Sequence, residues 1–280
     1  MNTTSLLGRD LFLDFDENGI RRHYDSLSLW YLLFWGDHLH HGWFKTGNET
    51  AREAQLEMLR QCISRLRVPA AARVLDVGCG YGGTSLFLAW QRGCQVDGLS
   101  LSPNQLAFAN KKRIASKARS SVRFLLENAE TFAYPADYYD LVWTMESSEH
   151  FANKQQYFRQ VRRTLRHDGQ LLLAAWTGSM ADRSVRDVAE HFLCPGICTA
   201  DDYVGFIDDA GMRVDEVVNA TRYVVPTWQV CLRRIKRFAL LKPMVPATVR
   251  SFADGLHVIL DSYLSGELTY SIITARAMKG

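Results

Sequence analysis

Arg73-Val74-Leu75-Asp76-Val77-Gly78-Cys79-Gly80-Tyr81-Gly82-Gly83-Thr84 decides the fold of this chain. Val74, Leu75 and Val77 are β-formers suited to a buried parallel strand. Gly78, Gly80, Gly82 and Gly83 then allow a tight turn and close approach of the backbone to a ligand. Ser85-Leu-Phe-Leu-Ala-Trp90 opens a helix whose unpaired N–H groups face the same crevice. Strand, glycine loop and helix in that order predict a nucleotide-type cofactor site.

Gly78, Gly80 and Gly83 also satisfy G-x-G-x-x-G, a pattern of dinucleotide enzymes. Asp76 argues for a different ligand. A diphosphate on this loop would meet a carboxylate two residues ahead of the first glycine, and like charges at that range repel. A cofactor with a cationic amino group and a sulfonium centre is attracted instead, which points to S-adenosylmethionine. Asp97 lies roughly 20 residues beyond Gly78, the spacing of an NAD ribose ligand. An NAD-dependent oxidoreductase is therefore the first alternative, and a non-catalytic cofactor-binding protein the second.

Composition narrows the class. At 280 residues the chain can bury a large core, and its 47% hydrophobic content is that of a globular protein. A net charge of +3 gives no reason to expect nucleic acid as a partner. Cys62, Cys79, Cys94, Cys194, Cys198 and Cys231 are scattered in apolar or glycine settings, as reduced thiols of a cytoplasmic protein would be. Cys194-x-x-x-Cys198 lacks a second pair, so no metal is expected there. No signal-peptide core precedes the acidic N-terminus, and no apolar run approaches the ~18 residues of a membrane span.

Upstream of the glycine loop, residues 20–44 are dense in aromatics. Trp30, Leu33 and Phe34 recur at helical spacing, and Trp30, Tyr31, Trp35 and Trp43 read as a lid that excludes water. His38, His40 and His41 lack a cysteine or carboxylate cluster and are not read as metal ligands. Residues 1–66 are taken as this helical lid segment, with an amphipathic helix over Asn48–Leu66. An aromatic lid of this kind can also pack on a second copy, which leaves a homo-oligomer open.

Residues 67–280 form the cofactor-binding domain, with cap insertions near 177–200 and 228–262. Strands are predicted at 95–99, 122–126, 141–145, 170–176, 213–225 and 268–275, with helices between them. The expected fold is α/β: a Rossmann-like, doubly wound seven-stranded sheet, its last strand antiparallel. Ser100 stands where a ribose-binding strand usually ends in an acid, so Gln105 is expected to share that task. Asn128 can both donate to and accept from an adenine edge. Glu146-Ser-Ser-Glu149-His150 closes the central fourth strand after Met145, where open α/β sheets bind ligands. The basic run Arg233-Arg234-Lys236-Arg237 reads as a solvated helix face.

Four segments together resemble class I S-adenosylmethionine-dependent methyltransferases, most closely the gamma-tocopherol methyltransferase group. They are Trp35-Gly-Asp-His-Leu-His-His-Gly-Trp-Phe44, Leu75–Gly83, Gly98–Gln105 and Val142-Trp-Thr-Met-Glu-Ser-Ser-Glu-His150. Sarcosine-dimethylglycine, sugar O-methyl and cyclopropane fatty-acid enzymes share parts of them. By this resemblance Tyr24 and the backbone at His41-Gly42 close over the methionine end of the cofactor. Ser100, Leu101 and Gln105 hold ribose and adenine, Asn128 and Ala129 the adenine edge, and Met145 joins them. Trp176–Ser179 and Phe192–Thr199 depart from the tocopherol pattern, so the acceptor is expected to be another small, largely apolar or aromatic metabolite. C-methylation is favoured over N- or O-methylation, in specialised metabolism. Transfer needs mostly positioning, plus a base for the acceptor's proton. His150 is the first choice for that base, with Glu146 and Glu149 behind it.

Overall fold

The computed structural model describes residues 13, 19, 21, 38–237 and 247–278, without the side chains of 236–237 and 247–253. Tyr24 and most of the expected aromatic lid lie outside the described residues. The glycine-loop strand is β1 (Arg73–Val77), and it is followed by helix α2 (Gly83–Arg92). Ahead of them α1 spans Ala51–Ile63, shorter than the periodicity suggests. Thr50 fixes its start by a reciprocal capping box with Glu53. Strand β2 (Gln95–Ser100) leads to α3 (Pro103–Ala115), which Ser102 caps ahead of Pro103 in its first turn. Strands β3 (Val122–Leu126) and β4 (Tyr139–Met145) are joined by an irregular segment rather than a helix.

Helix α4 (Lys154–Thr164) runs straight into β5 (Leu165–Gly178). That strand starts earlier than expected, because Arg166–Gly169 forms a bulge with Asp168 at φ +60° and pairing with β4 resumes at Gln170. Next come α5 (Arg183–His191), α6 (Ala200–Asp209) and β6 (Met212–Asn219). The strand expected over 213–225 ends at Asn219, and helix α7 (Thr221–Arg237) begins two residues on. Val224, Trp228 and Leu232 recur every fourth residue and are all buried, so helical periodicity overrides the β-propensity of Val224-Val225. Helix α8 (Ala247–Ser265) and β7 (Leu268–Ala277) follow.

The strands assemble as β3-β2-β1-β4-β5-β7-β6. The first five are mutually parallel, and β7 is antiparallel to both β5 and β6. This is the expected Rossmann-like sheet. Alternate strand residues feed two apolar layers. Val74, Val96, Trp143 and Leu172 enter one, while Leu75, Leu99, Val142 and Leu171 enter the other. Strand order reverses at β1, which pairs β2 on one side and β4 on the other. Sheets of this kind open their ligand crevice at the strand ends beside that reversal.

Candidate active site

A cavity of about 280 Å³ occupies that crevice. Its floor is the glycine loop. Gly78 has φ +77°, and a Cβ there would stand 2.4 Å from Ser147 Cβ on the β4 loop, which donates its own hydroxyl to the Val77 carbonyl. Two strand-end loops therefore touch where only glycine fits. Gly82, also at positive φ, faces away from the cavity, and its missing Cβ makes room for Phe124.

Asp76 lines the cavity and is buried beneath this loop. Its carboxylate accepts from the Ser85 hydroxyl at 2.5 Å, but no salt bridge to a cationic side chain is found among the described residues. Burial pushes it up to about 7, partly offset by the Ser85 hydrogen bonds. At the end of β2 the buried Ser100 hydroxyl donates to Gln105 Oε1 at 3.1 Å and accepts from the Ser102 N–H. Leu101, Asn128 and Ala129 line the wall beside them. Asn128 Oδ1 already accepts from the Glu130 N–H at 2.8 Å, so an adenine edge would meet its amide NH₂ side.

Three ionisable groups close β4, and their surroundings differ. Glu146 is held in the left-handed region at φ +51°. Its Oε1 accepts from the His41 backbone N–H and the Tyr270 hydroxyl, both at 2.8 Å. Its Oε2 accepts from His41 Nδ1–H at 2.8 Å and the Trp176 indole at 3.4 Å. Burial alone would raise this carboxyl, but the charge and hydrogen bonds of His41 outweigh it and hold it below the usual carboxylate range. Glu149 is equally buried but has fewer donors: the Trp176 backbone N–H at 2.7 Å and the Ser148 hydroxyl at 3.5 Å. Burial pushes it up to about 7 against those hydrogen bonds. His150 lines the same cavity, with Nδ1 3.1 Å from the Leu193 carbonyl.

Not every expected residue reaches the cavity. Asp76, Gly78, Gly80, Ser100, Leu101, Gln105, Asn128, Ala129, Met145, Glu146, Glu149 and His150 converge there. His41 and Gly42 stand behind the wall, with their N–H groups donated to Glu146 and to the Thr227 hydroxyl. The rings of Trp176, Trp228, Tyr263 and Tyr270 surround His41 at centroid distances of 4.9–5.9 Å. Trp176, Phe192 and Trp228 make the cavity's apolar side; the sequence sets the first two in segments that bear on the acceptor without naming them as site residues, and gives Trp228 no site role. Trp176 was findable, since it ends the strand next to β4. Trp228 was not, because the stretch just before it reads as strand.

Asp97 settles the dinucleotide alternative. It lies inside β2, tied to Arg123 by two 2.9 Å hydrogen bonds and to the Tyr139 hydroxyl at 2.8 Å, away from the cavity. No ribose can reach it.

Residues 13–207 match the model of the mycolic acid cyclopropane synthetase family. The chain belongs to that family. Among curated relatives, the probable chloroplastic tocopherol O-methyltransferase of Oryza sativa subsp. japonica is 26% identical over 93% of this chain and 78% of its own length. The 27-O-demethylrifamycin SV methyltransferase of Amycolatopsis mediterranei is 28% identical over 78% of this chain and 82% of its own. The fold is that of the cyclopropane synthase MmaA2 from Mycobacterium tuberculosis, with a TM-score of 0.84 at 20% identity, covering 94% of this chain and 99% of the other. The protein is an S-adenosylmethionine-dependent methyltransferase, not an oxidoreductase. The site fits that cofactor. A buried carboxylate with no cationic side chain bonded to it suits a cationic ligand, and the glycine floor admits one closely. Among the described residues, no helix is long and apolar enough to cross a membrane.

Proposed function

We propose that this methyltransferase modifies a small, largely apolar acceptor bearing a phenol-type hydroxyl. The observation behind this reading is the pairing of an aromatic wall, Trp176, Phe192 and Trp228, with the proton-accepting Glu149 and His150 in one cavity. When bound, the cofactor supplies an activated methyl group on a sulfonium. Asp76 faces its amino end, Ser100 and Gln105 the ribose, and Asn128 with Ala129 the adenine. The described residues of the 1–66 segment act as part of a lid over 67–280, and those of the segments near 177–200 and 228–262 cap the acceptor.

A phenol that loses its proton becomes nucleophilic at both oxygen and ring carbon, so the same base serves O- and C-methylation. Glu149 is the better base of the two on geometry. It is buried at the cavity wall and its pKa of about 7 suits proton exchange near neutrality. Glu146 is saturated with donors and anchors the wall instead. The relatives named above for tocopherol and a rifamycin support an acceptor of specialised metabolism. Six buried, unpaired cysteines suit a reducing compartment such as the cytoplasm.

The test is incubation of cell extract and enzyme with deuteromethyl-labelled cofactor, followed by mass spectrometry. A labelled methyl on one apolar, hydroxylated metabolite is expected. Label appearing only on amines or carboxylates would refute the acceptor class.

A further inference from the structure

His40 has no part in the account above. Its ring is 5% exposed and lines the cavity, and its Nε2 has no hydrogen-bond partner among the described residues. Its other nitrogen settles the tautomer. Nδ1 lies 2.8 Å from the His41 carbonyl oxygen, which can only accept, so Nδ1 carries the hydrogen. In the neutral ring Nε2 is then a bare lone pair. Burial lowers the ring's proton affinity, opposed by Glu146, so the neutral form dominates. The titratable groups around it are Glu146 at the end of β4 and His38 and His41 on its own segment.

The segment that carries the ring is held on both sides of it. On one side, Leu39 packs within 3.5 Å of the Cβ position of Gly80. On the other, His41 is clamped through both its backbone and ring nitrogens to Glu146. A rigid, buried acceptor that nothing satisfies calls for a donor from a ligand. The cofactor's carboxylate cannot donate, its ribose hydroxyls and adenine amino group go to Ser100, Gln105 and Asn128 in the reading above, and its cationic amino group is better met by the charge of Asp76. A hydroxyl of the methyl acceptor remains.

We propose that His40 is a specificity-determining residue whose Nε2 accepts a hydrogen bond from a hydroxyl of the methyl acceptor. This rests on the acceptor class proposed above. It makes the enzyme select hydroxylated acceptors over their ethers, because an ether leaves the lone pair buried and unmet.

The experiment is calorimetry on the complex with S-adenosylhomocysteine, using trimethylhydroquinone and its dimethyl ether as probes. Wild type should prefer the hydroquinone by about tenfold or more, the worth of one buried hydrogen bond. His40→Leu should bring the two within roughly twofold, and His40→Gln, which restores an accepting oxygen, should recover most of the preference. S-adenosylhomocysteine affinity, measured first on each variant, should stay within about twofold and reports an intact fold. An unchanged preference in His40→Leu would overturn the assignment, as would equal binding of the two probes by wild type. Loss of S-adenosylhomocysteine affinity with the probe preference intact would assign the ring to the cofactor instead. If wild type binds S-adenosylhomocysteine but neither probe, the proposed acceptor class itself fails and the assignment falls with it.

Discussion

Glu146→Gln tests whether this carboxylate anchors the cavity wall or takes part in chemistry. The native side chain accepts four hydrogen bonds, two on each oxygen. An amide offers one accepting oxygen and one NH₂ group. With the NH₂ at the Oε2 position, His41 must take its other tautomer so that Nδ1 accepts, and the Trp176 indole is left unmet. With the NH₂ at the Oε1 position, the Tyr270 hydroxyl can rotate to accept, but the His41 backbone N–H is left unmet. Either orientation leaves one buried donor without its acceptor. One unsatisfied buried donor costs about 1–3 kcal/mol, and losing the charge weakens the remaining bonds by about 1–2 kcal/mol more. A total of roughly 2–5 kcal/mol lowers the melting temperature by about 5–15 °C for a chain of this size. Thermal and urea denaturation measure it, with Tyr270→Phe as a control costing only about 1 kcal/mol. Because both changes act in one network, the double variant should lose less than the sum. A Glu146→Gln protein within about 1 kcal/mol of wild type would refute the anchoring argument. If that stable protein also failed to turn over, Glu146 would return to the list of bases.

Three further outcomes follow from the other carboxylates. Glu149→Gln should cut turnover by about 10²–10⁴ with little change in S-adenosylhomocysteine affinity, whereas His150→Ala should cost less. Steady-state rates beside calorimetry separate the two residues, and the reverse order would make His150 the base. Asp76→Asn should weaken S-adenosylhomocysteine binding by about tenfold or more, because the amino group loses a charged partner. The same substitution should stabilise the ligand-free protein at neutral and higher pH. Native Asp76 keeps its proton up to about pH 7, while in the unfolded chain it loses it near 3.8. Its contribution to stability is therefore full below the unfolded value and is lost as pH rises through the folded one. At about 1.36 kcal/mol for each tenfold change in proton affinity, that loss approaches 4 kcal/mol, roughly. Denaturation of both proteins from pH 4 to 8 should show the wild-type decline and a flatter profile for Asp76→Asn.

The glycine loop, the parallel half of the sheet and most of the cofactor wall are legible in the sequence because each is a local pattern. Asp76, Gly78 and Gly80 sit within five residues, and Ser100 and Gln105 bracket one helix start. The apolar wall is not local. Trp176 ends β5, Phe192 follows α5 and Trp228 lies in α7, and only the strand order brings them to β4. His41 was expected at the cofactor and stands behind the wall. Its ring instead closes a network with Tyr270, a residue set opposite Trp176 by the antiparallel pairing of β5 and β7. No spacing along the chain announces a contact of that kind. The extent of β6 was misread for a different reason, since the valines at 224–225 fit a strand and a buried helix face equally well.

The division of labour among Asp76, Glu146 and Glu149, three of the carboxylates that line the cavity, comes from donor count rather than residue type. Asp76 and Glu149 are buried and the Glu146 side chain is 7% exposed, so desolvation pushes each toward its neutral form. Glu146 answers with four donors, two of them from His41, and is held as a carboxylate. Glu149 keeps one short bond and one long one, which leaves it able to exchange a proton near neutrality. Asp76 has Ser85 and, among the described residues, no salt-bridge partner, so it holds its proton up to about pH 7. Trp176 sets part of this contrast, giving its backbone N–H to Glu149 at 2.7 Å and its indole N–H to Glu146 at 3.4 Å. One residue at the end of β5 thus helps anchor the first carboxylate and orient the second, and its ring also lines the cavity. Pairs of like groups driven apart in this way are how a single cavity holds both an anion at rest and a base near neutral pH.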